Sequence, residues 1–595
     1  MKRRILFIAV TVSILGGCAE SEDIGGSAAA DGYPDWDGIR QSILATDPDE
    51  SEFTPLANSL FGMVTSKQPL ATAAGNAMLE AGGNAADAAI ATAYAISVLR
   101  PGMNSIGGRG QILLRTADGR FIGYNGQTKV PASYEAPEES AYNGYTRIGV
   151  PGIVASLERL YEEHASLPRA TLMAPAIRYA REGYRLLEIE EILQRMVHKQ
   201  IEDDPGFRQA ILRPDGSLRA AGELLIQSQL ANTLEHIAED GADAFYEGAI
   251  AQKIAKDVQQ GGGFLTEQDL LEYVAEDGRY LRTSYRGYEI HTLASPAGGA
   301  LVAKSLNILE NFELSNMSDG DWAIVMSQAL QLAFESNWRE RSVEVLESEE
   351  TKEWAREQAA RISLPTAAMV DLEPPGPVLS TNIQNRAQEG RFTTHFVAAD
   401  CAGMVVSITQ TVGDMFGAKV VAPDLGFVYA ETMRNSLLDE ADDVPGSYAP
   451  TSIAPTIITK DGALVMALGA AGGIRIPSGI VQTISRFIDH DMSLFDAERA
   501  PRVHPSYGAE NRGSDEGTVR FTAEDFGERT WSDDTKAYWE EVGVKAEDDP
   551  IFTFGMVNAV AYDGDTGQWT GVADPLMGGA AQGPSMASCA IGNEL

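Results

Sequence analysis

The sequence predicts a mixed α/β fold arranged as a four-layer αββα stack. Three observations carry this expectation. Residues 85–99 (AADAAIATAYAISVL) are apolar nearly all round, which marks a helix buried on every side. Residues 150–345 are mostly helix-patterned, and from Thr393 onward short alternating runs in hairpin spacing take over. Apolar helices and half-apolar strands bury their faces against one another, so two helical layers covering strands give the stack.

Along the chain, Gly62 to Ser66 reads as a strand and Pro69 opens a helix through the alanine-rich 71–82. Gly82-Gly83-Asn84 breaks it before the apolar helix 85–99. A glycine-rich turn is expected over 101–110, then strands at 111–115 and 121–124 around Asp118-Gly119. The helical region is punctuated at Asp204-Pro205, Gly261-Gly262-Gly263 and Ala297-Gly298-Gly299. Residues 363–391 hold Pro365, Pro374, Pro375 and Pro377 with few apolar positions, and read as an exposed linker. Strands are then expected at 394–399 and 405–411 as a hairpin, and at 454–459 and 464–468. A helix at 477–489 and a hairpin of 557–561 with 569–572 complete the pattern.

The first residues read as a targeting segment. Lys2-Arg3-Arg4 precedes an apolar run from Ile5 to Leu15 that is too short to span a bilayer, and Leu15-Gly16-Gly17-Cys18 closes it. Small residues before a cysteine suggest a lipoprotein signal over 1–18, with lipid on Cys18. The alternative is an ordinary secretory signal cut near Ala19. Either implies export, and Ala19 after Cys18 favours a lipid-anchored periplasmic location at a Gram-negative outer membrane. Residues 19–56 read as an acidic tether. With 46 Lys plus Arg against 85 Asp plus Glu, the net charge of −39 argues against nucleic acid and anionic membranes as partners. Cys401 and Cys589 are too far apart in sequence to settle whether they pair, and no Cys-x-x-Cys or His-Glu-x-x-His offers a metal site.

The run Arg391-Phe392-Thr393-Thr394-His395-Phe396 opens the strand-rich half. It is open to reading as a threonine-rich edge strand. It also suits a self-cleaving hydrolase: cutting Phe392–Thr393 would give Thr393 both a hydroxyl nucleophile and an α-amine, which titrates near ~7.7–8.0 and can act as its base.

Nine stretches in order are GMVTSKQPLATAAG (62–75), GGNAADAA (82–89), GVPG (149–152), APAIRYAREGY (174–184), YRGYEI (285–290), TTHF (393–396), APT (454–456), GAAGGIRIPS (469–478) and ADPLMGGAA (573–581). Together they resemble the γ-glutamyltranspeptidase family of N-terminal-nucleophile hydrolases, over essentially 57–583. The resemblance implies self-cleavage into a large fragment, 57–392, and a small catalytic fragment, 393–595, that stay wound together in one αββα sandwich. It implies Thr393 as nucleophile, Thr411 as the helper hydroxyl and Gly472-Gly473 as the oxyanion hole. Glycines suit that role because two backbone N–H groups must approach the oxyanion with no Cβ in the way. It further implies acyl transfer from a small-molecule amide to water or an amine, with no metal or organic cofactor. His395, two positions along one strand from Thr393, is expected to pack rather than catalyse.

The chain departs from the family's substrate grip. Thr451-Ser452 keep two hydroxyls at the carboxylate site, but Gln127 stands where the family has arginine, which weakens that pairing. Gly413 and Asn435 replace the asparagine and aspartate that hold an α-ammonium. Arg109 interrupts a glycine run, and is open to two readings: a carboxylate ligand or a solvent-facing turn residue. Residues 435–448 are short for a lid over the pocket. The leading expectation is a γ-glutamyltransferase or glutathione hydrolase-type enzyme cleaving γ-glutamyl amides. The alternatives are a glutaryl-type, cephalosporin-acylase-like amidohydrolase and a catalytically dead, lipid-tethered binding protein.

Overall fold

The computed structural model describes residues 54–137, 143–336, 343–364, 392–433, 443–506, 519–549 and 554–585. Two seven-stranded sheets face each other. The first runs, edge to edge, through Ala580–Gln582, Gly62–Ser66, Thr393–Asp400, Val405–Thr411, Arg109–Arg115, Phe121–Gly126 and Glu276–Asp277. The second runs through Leu56–Ser59, Gln568–Ala573, Met556–Asp563, Ala463–Ala471, Thr456–Lys460, Tyr288–Leu293 and Tyr280–Tyr285. Every pairing in both sheets is antiparallel.

Strand alternation sorts the layers. Phe396, Ala398, Val406, Ile408, Ile112 and Leu114 point outward from the first sheet into the helices Pro69–Glu80 and Ala85–Leu99. Their neighbours in sequence, Val397, Ala399, Val405 and Leu113, point the other way and meet Ile457, Ala467 and Val560 of the second sheet. The far face of the second sheet, with Ile458, Met466, Leu468 and Val557, packs on Gly299–Leu309, Asp319–Glu335 and Ile476–Asp489. The result is the expected αββα stack, with strands from both sides of Phe392 in each sheet.

The central helix shows why the layers close so tightly. All of Ala85–Leu99 is buried. Its start is fixed by a reciprocal cap in which Asn84 Oδ1 accepts from Ala86 N at 2.8 Å and Asp87 Oδ2 accepts from Asn84 N at 2.8 Å. Losing such a cap costs about 1 kcal/mol. Gly75 on the neighbouring helix leaves no room for a Cβ against Thr92, so the two helices pack backbone to side chain. Truncating Ile90, buried on the same helix, would cost about 2–5 kcal/mol.

Three expectations need correction. The region read as mostly helical contains the hairpin Tyr280–Tyr285 and Tyr288–Leu293, which forms one end of the second sheet. Its turn residues Arg286 and Gly287 both take left-handed backbone angles, φ 52° and 82°, as a two-residue hairpin requires. The strand expected from 111 begins instead at Arg109, because Gly110 and Arg109 continue the ladder opposite Gln410 and Thr411. The stretch read as tether ends too late: Leu56–Ser59 is a strand on Gln568–Ala573, and Thr54 bridges to Ala581. The proline-rich 365–391 and the segment 434–442 lie outside the described residues. Cys401 is disulfide-bonded; Cys18 and Cys589 both lie outside the described residues.

Candidate active site

Thr393 is the first residue of its strand and stands directly opposite Thr411. Phe392, just before it, is buried among Met103, Phe416, Ala471 and Met556, so the Phe392–Thr393 peptide is clamped from both ends. The two hydroxyls then meet: Thr393 Oγ1 donates to Thr411 Oγ1 at 3.3 Å. Thr411 Oγ1 donates its own proton to the Phe392 carbonyl oxygen at 3.0 Å and accepts from Gly413 N at 2.9 Å. A hydroxyl has one proton and two lone pairs, and Thr411 uses all three. This arrangement draws the Thr393 proton away from its oxygen while polarising the carbonyl beside it.

The strand Ala463–Ala471 delivers the glycine turn. Ala471 packs in the same apolar cluster as Phe392, and the chain then turns through Gly472 and Gly473 at φ 134° and 60°, conformations that favour glycine. Ser452 braces the turn by donating to the Gly473 carbonyl at 2.8 Å. Thr451 is fixed by its N–H on the Pro296 carbonyl at 2.8 Å, and its hydroxyl accepts from Ile453 N at 3.3 Å. Thr393, Thr411 and Phe392 are thus brought together, with the Gly472-Gly473 turn one residue beyond a side chain touching the same cluster.

Arg109 is not a solvent-facing turn residue; it is buried, opposite Thr411 in the ladder and on the same face. Its Nη1 donates to the Glu431 carbonyl oxygen at 2.8 Å and reaches Thr128 Oγ1 at 3.5 Å. Gly413 makes room for it. The Glu431 carboxylate is itself held by Arg147 and accepts from Asp414 N at 3.2 Å. Gln127 is fully buried and serves the architecture: its side-chain Nε2 donates to the Ala449 carbonyl at 2.6 Å, and its backbone carbonyl accepts from the Tyr273 hydroxyl at 2.6 Å. It braces the loop carrying Thr451-Ser452. Asn435 lies outside the described residues.

His395 has its Nδ1 2.8 Å from Thr409 Oγ1 and its ring against Gly469, where no Cβ would fit. Burial, with the nearby charge of Lys67, pulls its pKa down to about 3, so the ring is neutral and a poor base at neutral pH. Sequence reasoning passed over Lys67 and the buried ion cluster of Glu498, Arg502, Glu524, Arg529 and Asp574. Arg529 joins Asp574 at 2.8 Å and Glu498 at 2.6 Å. The stretches GMVTSKQPLATAAG and ADPLMGGAA, which hold Lys67 and Asp574, had drawn notice only as motifs.

A family model described as Gamma-glutamyltranspeptidase matches residues 71–583. The chain belongs to the γ-glutamyltranspeptidase family. It is therefore an enzyme of the N-terminal-nucleophile hydrolase and transferase kind. Similar curated relatives of this γ-glutamyltranspeptidase-family chain include a glutathione hydrolase proenzyme of Pseudomonas sp. (strain A14), 31% identical over 76% of this chain and 82% of that protein. An acylase ACY 1 proenzyme of Pseudomonas sp. (strain V22) is 32% identical over 74% of this chain and 82% of that protein. Among solved structures, the cephalosporin acylase from Bacillus halodurans matches with a TM-score of 0.78 at 27% identity, over 91% of this chain and 99% of that one. The family thus includes both hydrolases of glutathione and acylases, and the fold is common to them.

Proposed function

We propose that this chain is a self-processing threonine amidohydrolase and acyltransferase, cut at Phe392–Thr393 by its own Thr393 hydroxyl. The observation that carries the reading is the three-atom line from Thr393 Oγ1 through Thr411 Oγ1 to the Phe392 carbonyl oxygen. After cleavage, the Thr393 α-amine takes the proton from Oγ1, which attacks a substrate amide carbonyl. The amine product leaves, and water or a second amine resolves the Thr393 ester. Gly472 and Gly473 N–H groups serve the oxyanion, each worth on the order of 2.7–4 kcal/mol of barrier. The test is a denaturing gel with N-terminal sequencing: two fragments, the lighter beginning Thr-Thr-His, and one uncut band for Thr393→Ala. A lighter fragment with any other start overturns the reading.

The substrates proposed first are γ-glutamyl amides such as glutathione, in line with the names of several relatives. Thr451, whose hydroxyl accepts from Ile453 N, keeps its proton to donate to the acyl carboxylate, whereas Ser452 would have to give up its bond to the Gly473 carbonyl to do the same. A second reading, an acyl group with a terminal carboxylate and no α-ammonium (glutaryl type), is favoured by one observation. Arg109 places a guanidinium beside Gly413, where the family's ammonium-binding asparagine would stand. A cation there repels an ammonium and attracts a carboxylate. Comparing γ-glutamyl-p-nitroanilide with glutaryl-p-nitroanilide decides between them: faster turnover of the glutaryl compound selects the second reading. We further propose lipid attachment at Cys18 and a periplasmic location. Labelled palmitate should enter the wild type and not a Cys18→Ser variant; equal labelling overturns the anchor.

A further inference from the structure

Self-cleavage poses a problem that turnover does not. Before the cut, the Thr393 nitrogen is an amide and has no basic lone pair, so another group must take the hydroxyl proton. Thr411 cannot keep it, because its own proton is committed to the Phe392 carbonyl. His395, with its pKa pulled down by burial, is too weak a base.

Lys67 stands in the right place. The strand Gly62–Ser66 pairs with Val397–Asp400 in a register that sets Thr65 opposite Val397. Lys67 follows two residues on, just past the end of the strand; continuing the same register would set it opposite His395, whose ring feels the Lys67 charge. Met63 and Thr65 of the same strand point into the gap between the sheets, where Gly571 leaves room for both. Alternation puts Lys67 on that face too, together with Thr393 and His395. On that continued register Thr393 would be its diagonal neighbour, at ~7–8 Å between Cβ atoms, within reach of a long side chain and one water.

The Lys67 ammonium position is wholly buried, and its Nζ makes no hydrogen bond. The charged groups around it are Asp574, Arg100, Glu498 and Arg529, with His395 on the adjacent strand. Asp574 is already taken by Arg529, and Arg100 by Glu190 at 2.6 Å. Burial dominates this balance and brings the Lys67 pKa down to about 7, leaving a large share of neutral amine at neutral pH.

We propose that Lys67 is the base for self-cleavage, taking the Thr393 hydroxyl proton through one water molecule and returning it to the departing Thr393 nitrogen. The Thr393 Oγ1 forms a bond to the Phe392 carbonyl carbon, and the carbon–nitrogen bond breaks. The nitrogen gains the proton held by Lys67 and becomes the α-amine. Water then hydrolyses the Phe392 ester, restoring the Thr393 hydroxyl and freeing the Phe392 carboxylate. The newly made amine takes over as base, so Lys67 serves maturation and not turnover. The proposal rests on the self-cleavage reading above.

The test follows fragment appearance in full-length chain made by cell-free synthesis and chased between pH 5 and 9. The wild type should mature faster as the pH rises through about 7, as Lys67 loses its proton. Lys67→Met and Lys67→Arg should both mature roughly 100-fold or more slowly and lose that pH limb. Lys67→Arg keeps length and charge inside the ion cluster and so guards against a merely structural effect. Wild-type maturation rates in either variant overturn the role of Lys67. A wild type that stays uncut at every pH overturns the self-cleavage reading instead.

Discussion

Arg109 Nη2 lies 3.2 Å from where a Cβ on Gly413 would stand. The two departures from the family pattern are therefore one structural unit: the guanidinium fills space that the missing side chain vacates. Gly413 also sits at φ 92° and faces the Glu431 carbonyl oxygen, 3.0 Å from the same imagined Cβ.

Restoring a side chain there should be costly. Gly413→Asn is expected to lower stability by about 1–3 kcal/mol from backbone strain, with the Arg109 clash added. In Arg109→Gly/Gly413→Asn the clash is gone and the strain remains, so a double-mutant cycle by urea unfolding should give a coupling of about 0.5–3 kcal/mol. Strict additivity would show that the two residues act independently.

Arg109 also bears on substrate choice. Arg109→Leu should cut kcat/KM for glutaryl-p-nitroanilide roughly 10- to 150-fold, the loss of a hydrogen bond to a charged group of about 1.5–3 kcal/mol. Most of it should appear in KM. An unchanged KM for carboxylate-bearing substrates would mean that Arg109 only braces Glu431.

Thr411 joins the nucleophile to the bond it attacks. Thr411→Val keeps the shape and removes the donor to Phe392, so maturation should slow by a factor of roughly 100–1,000. Thr411→Ser should retain most of the rate. Equal rates in both variants, measured as fragment appearance on a gel, would remove Thr411 from the mechanism.

The buried ion cluster makes stability depend on pH. Burial, against the pull of Arg502 and Arg529, raises Glu524 from an ordinary 4.5 to about 7. Between these values the folded chain holds a proton that the unfolded chain has released, so this group's contribution falls as pH rises through the window. Glu524→Gln mimics the protonated acid and has no such slope. Its urea midpoint relative to wild type should climb from pH 4.5 to 7 and then level off. A difference that stays constant with pH contradicts the shift.

Much of the architecture was legible in the chain because local patterns and the core agree. The all-apolar 85–99 had nowhere to go but a buried layer, and the alternation after Thr393 fixed a hairpin whose ends differ from expectation by a residue or so. The hairpin around Arg286-Gly287 was hidden because it interrupts a long helical region, although its Tyr-Arg-Gly-Tyr turn was in plain view. Arg109 was misplaced because a glycine-rich run looks like a turn, while strand pairing with Thr411 overrides that local preference.

By itself the sequence determined the chemistry's raw materials: a threonine at the head of a strand, a second threonine across the hairpin and a glycine pair after an apolar run. Side-chain type and short spacing are properties of adjacent residues, so they can be read directly. Only the tertiary structure decided that Thr411 reaches the Phe392 carbonyl, that Gln127 braces a loop, that Arg109 is buried opposite Thr411, and that Lys67 is buried with its Nζ unbonded. Those relationships join residues up to several hundred positions apart, and they arise from sheet register and burial, which no local stretch of chain contains.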